Sequence, residues 1–250
     1  MSKRFLFDGQ PVAFEDGQTI MQAARAAGRY IPSLCWHPDF PPHGSCKLCI
    51  VKAGGRHVSS CALPAREGLE VESDTPEINA ERRALLQMLF VEGNHFCPSC
   101  EKSGNCQLQA LAYELEMTSA RFSHFFPDRP VDASHPDVLL DFNRCIFCEL
   151  CVRASREVDG KNVFALSQRG IHKHLVVNAE SGRLGDTDFA PADLAANICP
   201  VGVILHKRVG FAVPIGERLY DRAPISQVSM ARGSAAGTGQ ATGRDEGDGR

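Results

Sequence analysis

The chain has 250 residues, 43% hydrophobic and 23% charged, an ordinary globular composition with room for more than one core. A net charge of −3, from 27 Lys+Arg against 30 Asp+Glu, offers no basic field for nucleic acid and no attraction to an anionic membrane. No stretch approaches the roughly 20 apolar residues of a membrane span, and the opening MSKRFLFDGQ carries acid and Gly where an export signal would place its apolar run.

Phe5-Leu6-Phe7, Asp8-Gly9 and Val12-Ala13-Phe14 predict a strand, a tight turn and a second strand. Thr19 is placed to cap a helix with Ile20, Ala23, Ala24 and Ala27 on one face, and Gly28 ends it. A loop bearing Cys35, Cys46, Cys49 and Cys61 follows, in a C-x10-C-x2-C-x11-C pattern. Two strands and a crossing helix ahead of a Cys-bearing loop is how a plant-type 2Fe-2S ferredoxin begins. The first gap is longer than in the plant pattern C-x4-C-x2-C. Gly44, Ser45 and Gly54-Gly55 keep backbone close, with N–H groups free to donate to sulfur. A four-thiolate zinc site is the alternative. Trp36, His37 and His43 flank this group and read as packing or loop residues.

Thr75 and Pro76 predict the start of a second helix through Ile78, Leu85, Leu86 and Leu89, ended by Gly93-Asn94. Cys97, Cys100 and Cys106 follow as C-x2-C-x5-C. After them Leu108, Leu111, Ala112 and Leu115 recur at helical spacing. Three thiolates leave a cubane one donor short, which makes His95 the candidate fourth ligand. The alternatives are water, an outside ligand or a 3Fe-4S cluster. Imidazole in place of thiolate removes a negative charge and should raise the potential, as in Rieske centres. Residues 118–136 are Pro- and Ser-bearing and read as a linker.

Cys145, Cys148 and Cys151 stand at equal intervals, completed downstream by Cys199-Pro200. The bacterial ferredoxin run is C-x2-C-x2-C-x3-C-P, with its last Cys serving a second cluster. Where that second cluster's ligands would stand, this chain has Ser155, Phe189, Ala192 and Ala195, so one 4Fe-4S cluster is expected. Structural zinc, the rival, does not explain three equally spaced cysteines. Residues 163–166 and 175–177 are strand candidates. From Ser229 to Arg250 the chain lacks aromatic and branched aliphatic residues and is expected to be disordered. Gly237-Thr238-Gly239 through Gly243 lacks the strand and helix of a dinucleotide loop, and no NAD or flavin site is read in the chain. The 11 cysteines fall in groups of four, three and four with none left over. An odd count excludes complete disulfide pairing, and the absence of an export signal points to a reducing compartment and to metal.

Several motifs carry a family resemblance. They are Ile31-Pro32-Ser33-Leu34-Cys35-Trp36-His37-Pro38, Gly44-Ser45-Cys46-Lys47-Leu48-Cys49, Asn94-His95 with Cys97-Pro98-Ser99-Cys100, Asn105-Cys106-Gln107-Leu108-Gln109, and Asn143-Arg144-Cys145-Ile146-Phe147-Cys148 with Cys151-Val152-Arg153. Over about residues 1–210 the set resembles the N-terminal iron–sulfur region of the large electron-transfer subunit of respiratory complex I, a region that recurs in NAD-linked hydrogenases and formate dehydrogenases. That family spaces His-x3-Cys, whereas His95 and Cys97 are separated by one residue. A short version of this kind is similar to the small diaphorase subunit of soluble, bidirectional NAD-reducing nickel–iron hydrogenase.

The resemblance implies an α+β chain of three modules. Residues 1–75 would form a β-grasp 2Fe-2S ferredoxin-like domain held by Cys35, Cys46, Cys49 and Cys61. Residues 76–117 would form a helical 4Fe-4S domain held by His95, Cys97, Cys100 and Cys106. Residues 137–212 would form a bacterial ferredoxin-like 4Fe-4S domain held by Cys145, Cys148, Cys151 and Cys199, and 229–250 a disordered tail. It further implies a cytoplasmic, non-catalytic electron relay within an NAD-reducing hydrogenase. FMN and NAD would sit on a flavoprotein partner, and the nickel–iron hydrogenase small and large subunits would split hydrogen, with neither nucleic acid nor membrane involved. The implied route runs from partner FMN to the 2Fe-2S cluster, then to the Cys145 cluster and the His95 cluster. The alternative is the equivalent subunit of a formate dehydrogenase or of a complex I-like NADH dehydrogenase.

Overall fold

The computed structural model describes residues 3–236. In the first module β1 (Arg4–Phe7) and β2 (Gln10–Ala13) form the expected hairpin, turned by Asp8 and Gly9, both at positive φ. Helix α1 (Ile20–Ala26) crosses the sheet. Its N-terminus is closed by a reciprocal pair: Thr19 accepts from Gln22 N–H, and the Gln22 side chain accepts from Thr19 N–H. Three further strands complete the sheet: β3 (Ile50–Ala53), β4 (Arg56–Ser59) and β5 (Glu70–Glu72). The order is β2-β1-β5-β3-β4, with β1 and β5 parallel, and Phe5, Val12, Ile20, Met21, Val51 and Val71 close the core between sheet and helix.

Helix α2 (Pro76–Glu92) begins as predicted, with Thr75 accepting from Ile78 N–H, and ends at Gly93. Helix α3 (Gln107–Glu114) starts directly after Cys106 and packs on α2. Within the segment read as a linker, β6 (Val131–Asp132) pairs with β7 (Val138–Asp141), and β10 (Ile204–His206) lies on the other side of β7. Helix α4 (Leu150–Glu157), the hairpin β8 (Phe164–Ser167) and β9 (His174–Val177), and the short α5 (Leu194–Asn197) complete the third module.

One expectation is corrected. Helix α6 (Ile225–Ala236) runs into the stretch from Ser229 that was read as disordered. Its first turn is anchored by buried Ile225 and it packs on α3, so helix nucleated upstream propagates through Ala- and Ser-rich sequence that could not have nucleated it. The rest of the expected tail, 237–250, including the glycines from Gly237, lies outside the described residues. Among the described residues, no helix is long and apolar enough to cross a membrane.

Candidate metal centres

The structure brings the first four cysteines together as two pairs. Cys46 N–H points at Cys35 Sγ at 3.5 Å, and Leu34 N–H at Cys46 Sγ at 3.4 Å. Cys49 and Cys61 lie Sγ to Sγ at 3.3 Å. Left-handed Gly44 and Lys47 bend the chain so that Cys46 and Cys49 reach the loop's interior. Hydrogen bonding from Cys46 pulls the Cys35 thiol down to about 5, and that from Cys61 pulls Cys49 down to about 7. The partners Cys46 and Cys61 are pushed up by the same contacts. Two pairs of sulfur donors, each with one member prone to ionise, suit two adjacent metal ions.

Arg82, not singled out from the sequence, holds this loop from below. Buried in α2, it donates to the carbonyls of Leu48 (3.2 Å), Ile50 (2.7 Å) and Ser73 (2.9 Å). Its signal was a charge in the apolar stripe Ile78, Arg82, Leu86. Trp36, His37 and His43 all have other engagements: Trp36 stacks under Arg25, His37 packs on Phe40, and His43 pairs with Glu149 at 3.2 Å.

The second set closes around an internal cavity lined by Phe90, His95, Cys97, Cys100, Cys106 and Arg144. His95 Nε2 is buried there without a hydrogen-bond partner, and its ring is fixed edge-on against Phe90 with centroids 5.6 Å apart. Burial, then the Arg144 and Arg129 charges, push its pKa down to about 4, so the imidazole is neutral at physiological pH. A buried, unpartnered, neutral nitrogen in a wall with three cysteines is the donor set that a three-thiolate site lacks. The short His95-to-Cys97 spacing is accommodated because Phe96 turns outward and Cys97–Ser99 form a single tight helical turn. Burial raises Cys97 and pushes Cys106 up to about 12.

In the third set Cys148, Cys151 and Cys199 are buried. Phe147 and Glu149, both at positive φ, coil the loop so that Cys145, Cys148 and Cys151 turn to one side. Cys199 is delivered by α5, whose N-terminus is held by Asp159 accepting from Leu194 and Ala195 N–H at 2.8 and 3.0 Å. Burial is the main cause that pushes Cys145 up to about 12 and Cys148 and Cys151 well above their ordinary value. Mutual repulsion of the thiolates, Cys199 included, adds to it. Thiols held in their neutral form by burial and mutual repulsion, as Cys145, Cys148 and Cys151 are, suit a site that a positive centre would occupy. On the opposite side, Ser155 Oγ accepts from Val163 N–H at 2.8 Å. Phe189 packs edge-on against Phe164, with ring centroids 5.4 Å apart, and Ala195 is buried, so these positions of a second ferredoxin cluster are filled by core, while Ala192 is exposed.

The three sets do not follow chain order in space. Arg153, two residues beyond Cys151, donates to the carbonyls of Cys35 at 2.7 Å and Pro41 at 2.9 Å, and packs over Phe40. Arg144, next to Cys145, donates to Cys100 Sγ at 3.4 Å. The third set is therefore linked directly to both the first and the second.

The sequence comparisons agree with this division. Residues 3–76 match the family of 2Fe-2S iron-sulfur cluster binding domains, 82–121 the NADH-ubiquinone oxidoreductase-G iron-sulfur binding region, and 138–205 the 4Fe-4S single cluster domain. The chain is 32% identical over 212 residues to the mitochondrial NADH-ubiquinone oxidoreductase 78 kDa subunit of Candida albicans, covering 82% of this chain and 28% of that one. It is 42% identical over 222 residues to the NAD-reducing hydrogenase HoxS subunit gamma of Cupriavidus necator, covering 88% of this chain and 94% of that one. A chain in the crystal structure of NAD+-reducing [NiFe]-hydrogenase in the H2-reduced state superposes with a TM-score of 0.88 at 54% identity, over 90% of this chain and 96% of that one. With three modules in the same order and near-complete mutual coverage, the chain belongs to the family of the gamma subunit of NAD-reducing hydrogenase.

Proposed function

We propose that this chain is the non-catalytic electron-relay subunit of a cytoplasmic, NAD-reducing hydrogenase, standing between a flavoprotein that binds FMN and NAD and the nickel–iron hydrogenase subunits. Cys35, Cys46, Cys49 and Cys61 would hold a 2Fe-2S cluster. His95 with Cys97, Cys100 and Cys106, and Cys145, Cys148 and Cys151 with Cys199, would each hold a 4Fe-4S cluster. When bound, such clusters supply reversible one-electron reduction without proton transfer. The chain's own residues then have three tasks: to fix the sites in a row, to exclude water, and to set each potential through nearby charge and hydrogen bonds.

The observation that carries the proposal is the row itself. Arg153 ties the first set to the third and Arg144 ties the third to the second, which supports a relay through the sites in that order. Identity at 42% to a hydrogenase gamma subunit, with 94% of that chain covered, favours the hydrogenase over the formate dehydrogenase and complex I alternatives. The second set is at the far end, and Phe96, Tyr113, Phe211 and Ile215 are exposed around it, an apolar rim suited to the hydrogenase subunits.

The test is an iron and acid-labile sulfide count on the anaerobically purified complex, in which this chain should account for about ten irons beyond those of its partner subunits. It is paired with coupled turnover in Cys145→Ser and Cys199→Ser. Both variants should lose hydrogen-driven NAD reduction while still activating hydrogen. A colourless zinc-bearing preparation, or undiminished coupled turnover, would overturn the proposal.

A further inference from the structure

One side chain that is an ordinary cation lines the cavity of the second set, and it comes from the neighbouring module. Arg144 sits at the end of the turn Phe142–Arg144, immediately before Cys145. Its Nη1 donates to Cys100 Sγ at 3.4 Å, to Glu101 Oε2 at 2.7 Å and to the Gly202 carbonyl at 3.4 Å, while its Nε pairs with Asp141 at 2.7 Å. The side chain is only 16% exposed, so water screens it weakly. Gly202 leaves the space it needs, since a Cβ there would lie 3.1 Å from Cys100 Sγ and 3.2 Å from Arg144 Nη1.

We infer that Arg144 sets the reduction potential of the His95–Cys97–Cys100–Cys106 site, acting through its charged hydrogen bond to the Cys100 sulfur. This rests on the iron–sulfur reading above. One electron arriving at the site adds one negative charge, with no bond made or broken. A guanidinium on a ligand sulfur favours that reduced form and raises the potential. Glu101 and Asp141 hold the guanidinium in place and partly offset its charge. No other positively charged side chain lines the cavity. Arg144 is a positioning and tuning residue, because it reaches the redox centre through Cys100.

The experiment is a potentiometric titration followed by EPR on the purified complex, with iron and sulfide counted in every sample. Arg144→Gln should shift the midpoint of the His95 site to more negative potential and move the Cys145 site less. Arg144→Lys, which keeps the charge, should recover most of the shift. Glu101→Gln should move the same midpoint the other way, and it decides the matter if Arg144→Gln loses iron. An unchanged midpoint in Arg144→Gln at wild-type iron content, or in Glu101→Gln, overturns the inference and leaves the relay standing. Absence of any iron signal in the wild-type complex overturns the relay itself.

Discussion

The backbone N–H of Gln107 donates to the carbonyl of Pro200 at 2.8 Å. Each of these residues directly follows a candidate site cysteine, Cys106 and Cys199, so this contact between two modules is flanked by sulfur on both sides. Gly202 is part of the same junction. Gly202→Ala would place a methyl against Cys100 and Arg144, where a metal-bound sulfur has little freedom to give way. A destabilisation of about 1–3 kcal/mol is expected, with iron lost from the His95 site before the others. Denaturant melts and EPR of the same sample check this.

Gly93 offers a second test of that site. A Cβ at Gly93 would lie 2.6 Å from His95 Nε2 and 3.0 Å from the Asn143 carbonyl, so Gly93→Ala must displace the imidazole. The expected result is an altered EPR signal from one 4Fe-4S site, with the 2Fe-2S signal unchanged. His95→Ala should change the iron count or the potential of the same site. A full count and an unchanged potential in His95→Ala would remove His95 as a ligand.

Arg153 joins the first and third modules through two backbone carbonyls. Arg153→Met keeps much of the packing over Phe40 but leaves the Cys35 and Pro41 oxygens without their charged donor. A loss of about 1–3 kcal/mol is expected, chiefly from the buried Cys35 carbonyl losing its charged donor. Thermal unfolding should register it, and NADH-driven reduction of the third site should slow relative to that of the first.

The filled second-cluster position gives two linked expectations. Ser155→Cys should leave the iron count unchanged, because that side chain faces Val163 N–H and the other three positions of a second cluster hold Phe189, Ala192 and Ala195. Phe189→Ala should cost about 3–5 kcal/mol, since it empties the contact with Phe164. An extra cluster in Ser155→Cys, detected as added iron and sulfide, would show that the ferredoxin position had not closed.

The local signals of the fold were legible. Thr19 with Gln22, Thr75 with Pro76, and Asp8-Gly9 each act within one turn of chain, and each does in the structure what its chemistry demands. The cysteine grouping was legible for the same reason, since spacing alone separates three loops. What escaped reading depends on distant partners. Strands β7 and β10 pair across most of the third module, and neither carries a pattern that names the other. The hairpin of β3 and β4 was missed although Gly54-Gly55 marks its turn, because those glycines were read as room for sulfur. Arg82, Arg144 and Arg153 look like surface charges in the sequence. Their partners are carbonyls and a thiol contributed by other segments, which only the folded chain brings within reach. Helix α6 was misjudged because composition speaks to nucleation, not to propagation from an anchored turn.

The contacts of the third set with the other two also bear on the order of synthesis. A ribosome makes the N-terminal segment first, so the cysteines of the first and second sets are made before those of the third, and Cys199 is the last cysteine to emerge. Under the proposed relay, a chain cut short before Cys199 would lack one ligand of the site that touches both others and would leave them unconnected.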